Sequence, residues 1–141
     1  MNVRRPVVTA VVAAVLAAGL AGCSSDDTTT ASAPAAAVTT IGATELVDVV
    51  AEEDIVVVDV RTPVEYAEGH VAGAVNIDVS DPSFSDEISA LDPDATYVVY
   101  CRSGNRSADA AAQMVEAGFT DVYDVDAGLA TLSSAGVPLT R

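Results

Sequence analysis

Two short runs without a polar break, Ile55-Val56-Val57-Val58 and Tyr97-Val98-Val99-Tyr100, restrict the possible folds of this chain more than any other feature. A strand with one face in water alternates apolar and polar residues, whereas a continuous β-branched or aromatic run suits a strand covered on both faces. Such strands belong to parallel sheets with helices above and below, and the segments around these runs carry helical signals. The pattern predicts strands over residues 38–41, 55–58, 74–77, 97–100 and 122–125. It predicts helices over 43–51, 62–68, 85–91, 108–116 and 129–135. Thr62-Pro63-Val64-Glu65 matches a capping box with proline at the first helical position. Ala108, Ala111, Ala112 and Val115 form a small-residue stripe that would let the fourth helix pack close to the sheet, and Gly118 stands in the usual place to end it. The expected class is α/β in three layers, with a central, mostly parallel sheet and helices on both faces.

The second run leads straight into Cys101-Arg102-Ser103-Gly104-Asn105-Arg106-Ser107. A cysteine therefore sits where a strand stops and a helix begins. At such a junction, free backbone N–H groups point at one spot and the helix dipole adds partial positive charge. That is an anion cradle with a thiol at its base, and it lowers a thiol pKa below the free value of about 8.5. Arg106, in the first helical turn, opposes the macrodipole at a cost of about 0.3–1 kcal/mol, a conflict that a bound anion would relieve. Arg102 adds a second cation, and Gly104 allows positive φ and close backbone approach. Cys101 is the candidate nucleophile and residues 102–107 the candidate binding loop. The alternative is a small buried cysteine beside solvated arginines.

With Val58-Asp59-Val60-Arg61, Glu65-Tyr66, Gly69-His70 and Gly73-Ala74-Val75-Asn76-Ile77 ahead of the loop, the chain resembles the single-domain rhodanese-like sulfurtransferases. Ala117-Gly118-Phe119, Val122-Tyr123 and Ala135-Gly136-Val137-Pro138 complete the order. The resemblance implies a rhodanese-like fold over residues 41–141 in which Cys101 accepts a sulfane sulfur from a small anionic donor such as thiosulfate or polysulfide. It implies a Cys101 persulfide, a thiol or cyanide-like acceptor, and no cofactor. Phosphatases and arsenate reductases related to this family carry the loop arginine six residues after the cysteine. Arg106 stands five after Cys101, which counts against phosphate. A non-catalytic binding module is the other alternative. Ala127-Gly128 replaces the common Gly-Gly, Leu132 a common Trp and Asp78 a common Pro, which bears on the last helix and the substrate mouth.

Asp59, Arg61, Glu65 and His70 are read as structural support. The Asp–Arg pair would hold a strand end, Glu65 has a sufficient explanation in the capping box, and the single histidine would shape a loop. One histidine allows no triad or zinc site, and no nucleotide-binding glycine pattern or metal cluster is visible.

The amino terminus has its own signals. Met1-Asn2-Val3-Arg4-Arg5 is short and positive, and the apolar run over 7–21 is too short for a comfortable membrane span, so residues 1–22 read as a signal peptide. Leu20-Ala21-Gly22-Cys23 looks like a bacterial lipobox, which implies lipidation of Cys23 and an exported domain anchored on the extracytoplasmic side. Residues 23–40 then form a lipidated, flexible Ser/Thr/Ala tether of about 20–25 Å reach. With Cys23 capped, Cys101 has no disulfide partner, and a lone thiol in an oxidising compartment is explained by reactivity. The formal net charge is −15 without a single lysine, which makes nucleic acid and anionic lipid surfaces poor partners. A monomer is expected. The loop is a positive island, since after Asp94 no acid occurs through Ser107.

Overall fold

The computed structural model describes residues 37–141. The expected signal peptide, Cys23 and most of the tether lie outside the described residues. β1 (Val38–Ile41), β2 (Ile55–Asp59), β4 (Val75–Asn76), β5 (Thr96–Tyr100) and β6 (Asp121–Val125) form one sheet in the order β1-β6-β5-β2-β4. Every neighbouring pair is parallel. The two continuous apolar runs are β2 and β5, which lie side by side in the interior of the sheet, as double-sided burial requires.

Strand alternation divides the core in two. On one face Val58, Val99, Cys101 and Val122 pack beneath α3 (Phe84–Ser89) and α4 (Asn105–Glu116). On the other, Val57, Val98, Tyr100 and Val125 pack against α1 (Ala43–Val49) and α5 (Leu129–Ala135), with Tyr66 of α2 (Pro63–Glu68) at the margin. The class is therefore the expected three-layer α/β arrangement with a parallel central sheet.

Local structure departs from the expected elements in three ways, one of them an addition. β3 (His70–Val71) and β7 (Leu139–Thr140) make a separate antiparallel pair that joins the segment after α2 to the chain terminus. Two-residue strands are too short to carry a period, and their pairing spans about half the chain. β4 has two residues where four were expected, and α1 and α3 both end two residues early. The packed face of α4 is Ser107, Ala110, Ala111 and Met114, while Ala108 and Ala112 face outward. An alanine-rich helix has almost uniform hydrophobicity, so its rotation is set by the anchored loop and by bulky Met114. Gly118, at φ 103°, does follow the helix end as expected. Leu132, where a tryptophan is common, is fully buried against the α1 side of the sheet.

Candidate active site

Cys101 follows the last residue of β5 directly, at the carboxyl end of a parallel strand, where open α/β sheets place their ligand crevices. The loop 101–104 turns sharply into α4. Gly104 is its N-terminal flank, at φ 90°, and a Cβ there would come within 2.9 Å of Asp126 Oδ1. Gly128 is just as constrained, since a Cβ on it would overlap the Arg102 carbonyl oxygen. The glycine retained from the common pair is thus the one that lets the β6–α5 turn lie against the cysteine loop.

The Gly104 N–H donates to Cys101 Sγ at 3.1 Å. Burial pushes the thiol pKa up, yet the backbone N–H groups of Ser103, Ser107 and Gly104, with the Ser107 hydroxyl beside them, outweigh it, and the thiol titrates below its ordinary value. Cys101 itself is buried, and Arg102 and Ser103, which follow it, are open to solvent. Asn105, also exposed, is the first residue of α4.

The expected part of Arg106 changes. Its guanidinium makes a bidentate pair with Glu65, Nη1 to Oε2 and Nη2 to Oε1, both at 2.9 Å. The unfavourable position in the first turn is thus compensated by a carboxylate of α2 rather than left for a bound anion. Its charge still acts on the sulfur at longer range. Glu65 closes the expected capping box as well: its N–H donates to Thr62 Oγ1 at 3.3 Å and its Oε2 accepts from the Thr62 N–H at 3.2 Å. The Arg106 pair, chiefly, holds the Glu65 carboxyl down at about 2. One side chain therefore caps α2 and fastens it to α4, a link that spacing alone did not reveal.

Asp59 and Arg61 are buried together at the end of β2. Arg61 Nη2 donates to Asp59 Oδ2 and to the Gly69 carbonyl, both at 2.6 Å, and Nε donates to Asp59 Oδ1 at 2.9 Å. Tyr100, absent from the sequence-based candidates, completes the group: its hydroxyl donates to Asp59 Oδ2 at 2.6 Å and accepts from the Val71 N–H at 3.0 Å. Burial and the Asp59 carboxylate push the Tyr100 hydroxyl far above its ordinary pKa. Asn76 Nδ2 donates to the carbonyls of Asp59 and Arg61 at 2.9 and 2.8 Å and fixes the turn between them. His70 stacks on Tyr66 with ring centroids 3.6 Å apart, and its Nδ1 lies 3.0 Å from the Tyr66 carbonyl. It shapes the α2–β3 turn and is occupied there.

A cavity of about 400 Å³ opens beside the loop, lined by Arg61, Glu65, Glu68, Gly69, Arg102, Leu129 and Ala130. Among the described residues, Arg102 is the cation in this lining with no carboxylate partner, and Leu129 and Ala130 give the cavity an apolar wall at the start of α5. Among the described residues, no group of three His, Cys, Asp or Glu side chains could hold a metal ion, and Cys101 is a free thiol.

The family of rhodanese-like domains matches this chain over residues 42–135, two thirds of its length and all of the elements that build this site. The chain belongs to the rhodanese-like family. Relatives include the thiosulfate sulfurtransferase GlpE of Pseudomonas fluorescens, 48% identical over 77 residues, which are 55% of this chain and 69% of that protein. GlpE of Pseudomonas aeruginosa is 44% identical over 86 residues, 61% of this chain and 76% of that one. In structure, the rhodanese-like domain of the Anabaena protein Alr3790 matches with a TM-score of 0.66 at 26% identity, covering 72% of this chain and 77% of the other. The rhodanese fold thus accounts for the parallel sheet and for the position of the cysteine loop.

Proposed function

We propose that this rhodanese-type sulfurtransferase moves a sulfane sulfur through a persulfide on Cys101. The thiolate attacks the outer sulfur of thiosulfate or a polysulfide. An S–S bond forms to Cys101 as the donor S–S bond breaks, and the electron pair leaves with sulfite or with the shortened polysulfide. The terminal sulfur, now carrying negative charge, takes the thiolate's place among the N–H groups of Ser103, Gly104 and Ser107. A thiolate or cyanide then attacks that sulfur, forms its own bond to it, and returns Cys101 as thiolate. No external base is needed, because the nucleophile is already favoured as an anion and the only histidine is occupied elsewhere.

The observation that carries this reading is the convergence of loop N–H donors on a single sulfur. Arg102, exposed and lining the cavity, is the group suited to attract an anionic donor. The test is to incubate the reduced, purified chain with thiosulfate or polysulfide and read the intact mass. One added sulfur atom on the Cys101 peptide is expected; no adduct with either donor would support a non-catalytic binding role instead. Turnover of an aryl phosphate at a comparable rate would overturn the assignment in favour of phosphatase chemistry.

Residues 1–22 act as a lipoprotein signal peptide in the same proposal, and Cys23 carries the lipid that anchors the domain on the extracytoplasmic side of the cell envelope. The apolar run and the Leu20-Ala21-Gly22-Cys23 tetrad support it. Cys23→Ala is expected to leave the membrane fraction while retaining sulfur transfer. Unchanged membrane attachment of that variant would refute the anchor.

A further inference from the structure

Among the described residues, one acid behind the cysteine loop has a buried carboxyl oxygen without a partner. Asp124 is 5% exposed, and its Oδ1 is a buried side-chain oxygen without a hydrogen bond. β5 and β6 are parallel and pair Val99 with Asp124. Register partners in adjacent strands point to the same face, and Cys101 lies two residues beyond Val99, so Asp124 and Cys101 are diagonal neighbours on the face that α4 covers. Between them is Ser107, fully buried in the first turn of α4. Its hydroxyl donates to the Gly104 carbonyl at 2.9 Å. The same hydroxyl also acts on both the Cys101 sulfur and the Asp124 carboxyl. A serine has one hydroxyl hydrogen. Three acceptors, the Gly104 carbonyl, the Cys101 thiolate and the Asp124 carboxylate, compete for it.

We propose that Asp124 is a positioning residue for the Cys101 sulfur: in its protonated form it donates to the Ser107 hydroxyl oxygen, and the Ser107 hydrogen is then directed to the thiolate or persulfide. That arrangement gives the buried carboxyl a partner and adds a hydroxyl donor to the backbone donors of the loop. In the ionised form the carboxylate draws the hydrogen the other way. Burial, chiefly, holds the Asp124 carboxyl above its ordinary value, with the charge of Asp126 acting in the same sense and Ser107 against it. Among the described residues, the remaining surroundings add no compensating cation. β1 contributes no titratable side chain, Asp109 of α4 is exposed, and Arg106 is tied to Glu65.

This inference rests on Cys101 as the reacting sulfur, and its test is independent of sulfur transfer. The pH dependence of Cys101 alkylation is followed on the Cys101 peptide in the full chain, in Asp124→Asn, in Ser107→Ala and in the double variant. Asn keeps the size of Asp and always offers an N–H donor, so Asp124→Asn is expected to lower the apparent thiol pKa by about one unit, the worth of one charge-assisted hydrogen bond. Ser107→Ala is expected to raise it, and to erase the effect of the Asn substitution in the double variant. An unchanged pKa in Asp124→Asn, or a shift that persists without Ser107, would overturn the proposal. Linkage is reciprocal, which supplies a check that needs no substitution at Asp124: the Asp124 side-chain carbon resonance must titrate at a different pH once Cys101 is alkylated. An identical titration would also overturn it. A chain that shows the coupling but forms no persulfide would refute the sulfur-transfer reading while leaving this one standing.

Discussion

At the carboxyl end of β2, a cation and an anion are buried together and compensate each other: Arg61 meets Asp59, the Tyr100 hydroxyl and the Gly69 carbonyl add hydrogen bonds to the pair, and Asn76 holds the backbone carbonyls of both residues. At the carboxyl end of β5, one strand over, the donors around one sulfur are backbone N–H groups, and the Arg106 guanidinium is matched to a carboxylate on another helix. Both sites occupy the same place in a parallel sheet. The first is closed on itself and clamps the α2–β3 segment to the sheet. The second holds more donors than its thiol needs, and that surplus is what an incoming anion can use. Compensation within a site makes it structural, and its absence makes the neighbouring site reactive.

The contrast breaks most completely if Cys101 is replaced. Cys101→Ala is expected to reduce thiosulfate-dependent sulfur transfer to the uncatalysed background, with a loss of only about 1 kcal/mol in urea unfolding. Asp59→Ala does the reverse. It leaves Arg61 buried without its counter-ion, so a loss of about 3–5 kcal/mol is expected, while the Cys101 thiol in the folded fraction keeps its low pKa. A mild destabilisation from Asp59→Ala would show that the β2 end is not a closed clamp.

Gly128→Ala probes how the β6–α5 turn holds the cysteine loop by shape. Its Cβ would overlap the Arg102 carbonyl, so the cysteine loop must shift. A destabilisation of about 1–3 kcal/mol and a fall in transfer rate are expected, both read on the same preparation.

Glu65→Gln is expected to act least. The pair it removes is partly exposed, with 30% and 20% of the Arg106 and Glu65 side chains accessible, so about 1 kcal/mol remains after solvent screening. The Glu65 carboxyl is lowered from 4.5 to about 2 in the folded chain. Its contribution is therefore fully present above pH 4.5 and is lost as the pH falls toward 2. Urea midpoints of the two forms should differ at pH 7 and converge below pH 4.5. A constant difference down to pH 2 would place the contribution in packing.

Residue order alone determined the parts of this protein that depend on local pattern. The continuous runs of β2 and β5 declared a sheet covered on both faces, Thr62-Pro63-Val64-Glu65 declared a cap, and a cysteine between strand and helix with Gly104 beside it declared the cradle. Tertiary structure decided whatever required partners far apart in the chain. The pairing of Arg106 with Glu65, 41 residues away, changed the first from a free cation to a tied one. The Tyr100 hydroxyl on Asp59, the closeness of Gly128 to Arg102, the β3–β7 ladder and the burial of Asp124 behind Ser107 are of the same kind. The rotation of α4 was also decided there, because small side chains leave little local preference for which face turns inward. Hydrophobic period, capping and backbone strain act within a few residues and can be read along the chain. Charge compensation and close packing act through space, and only the folded sheet brings their members together.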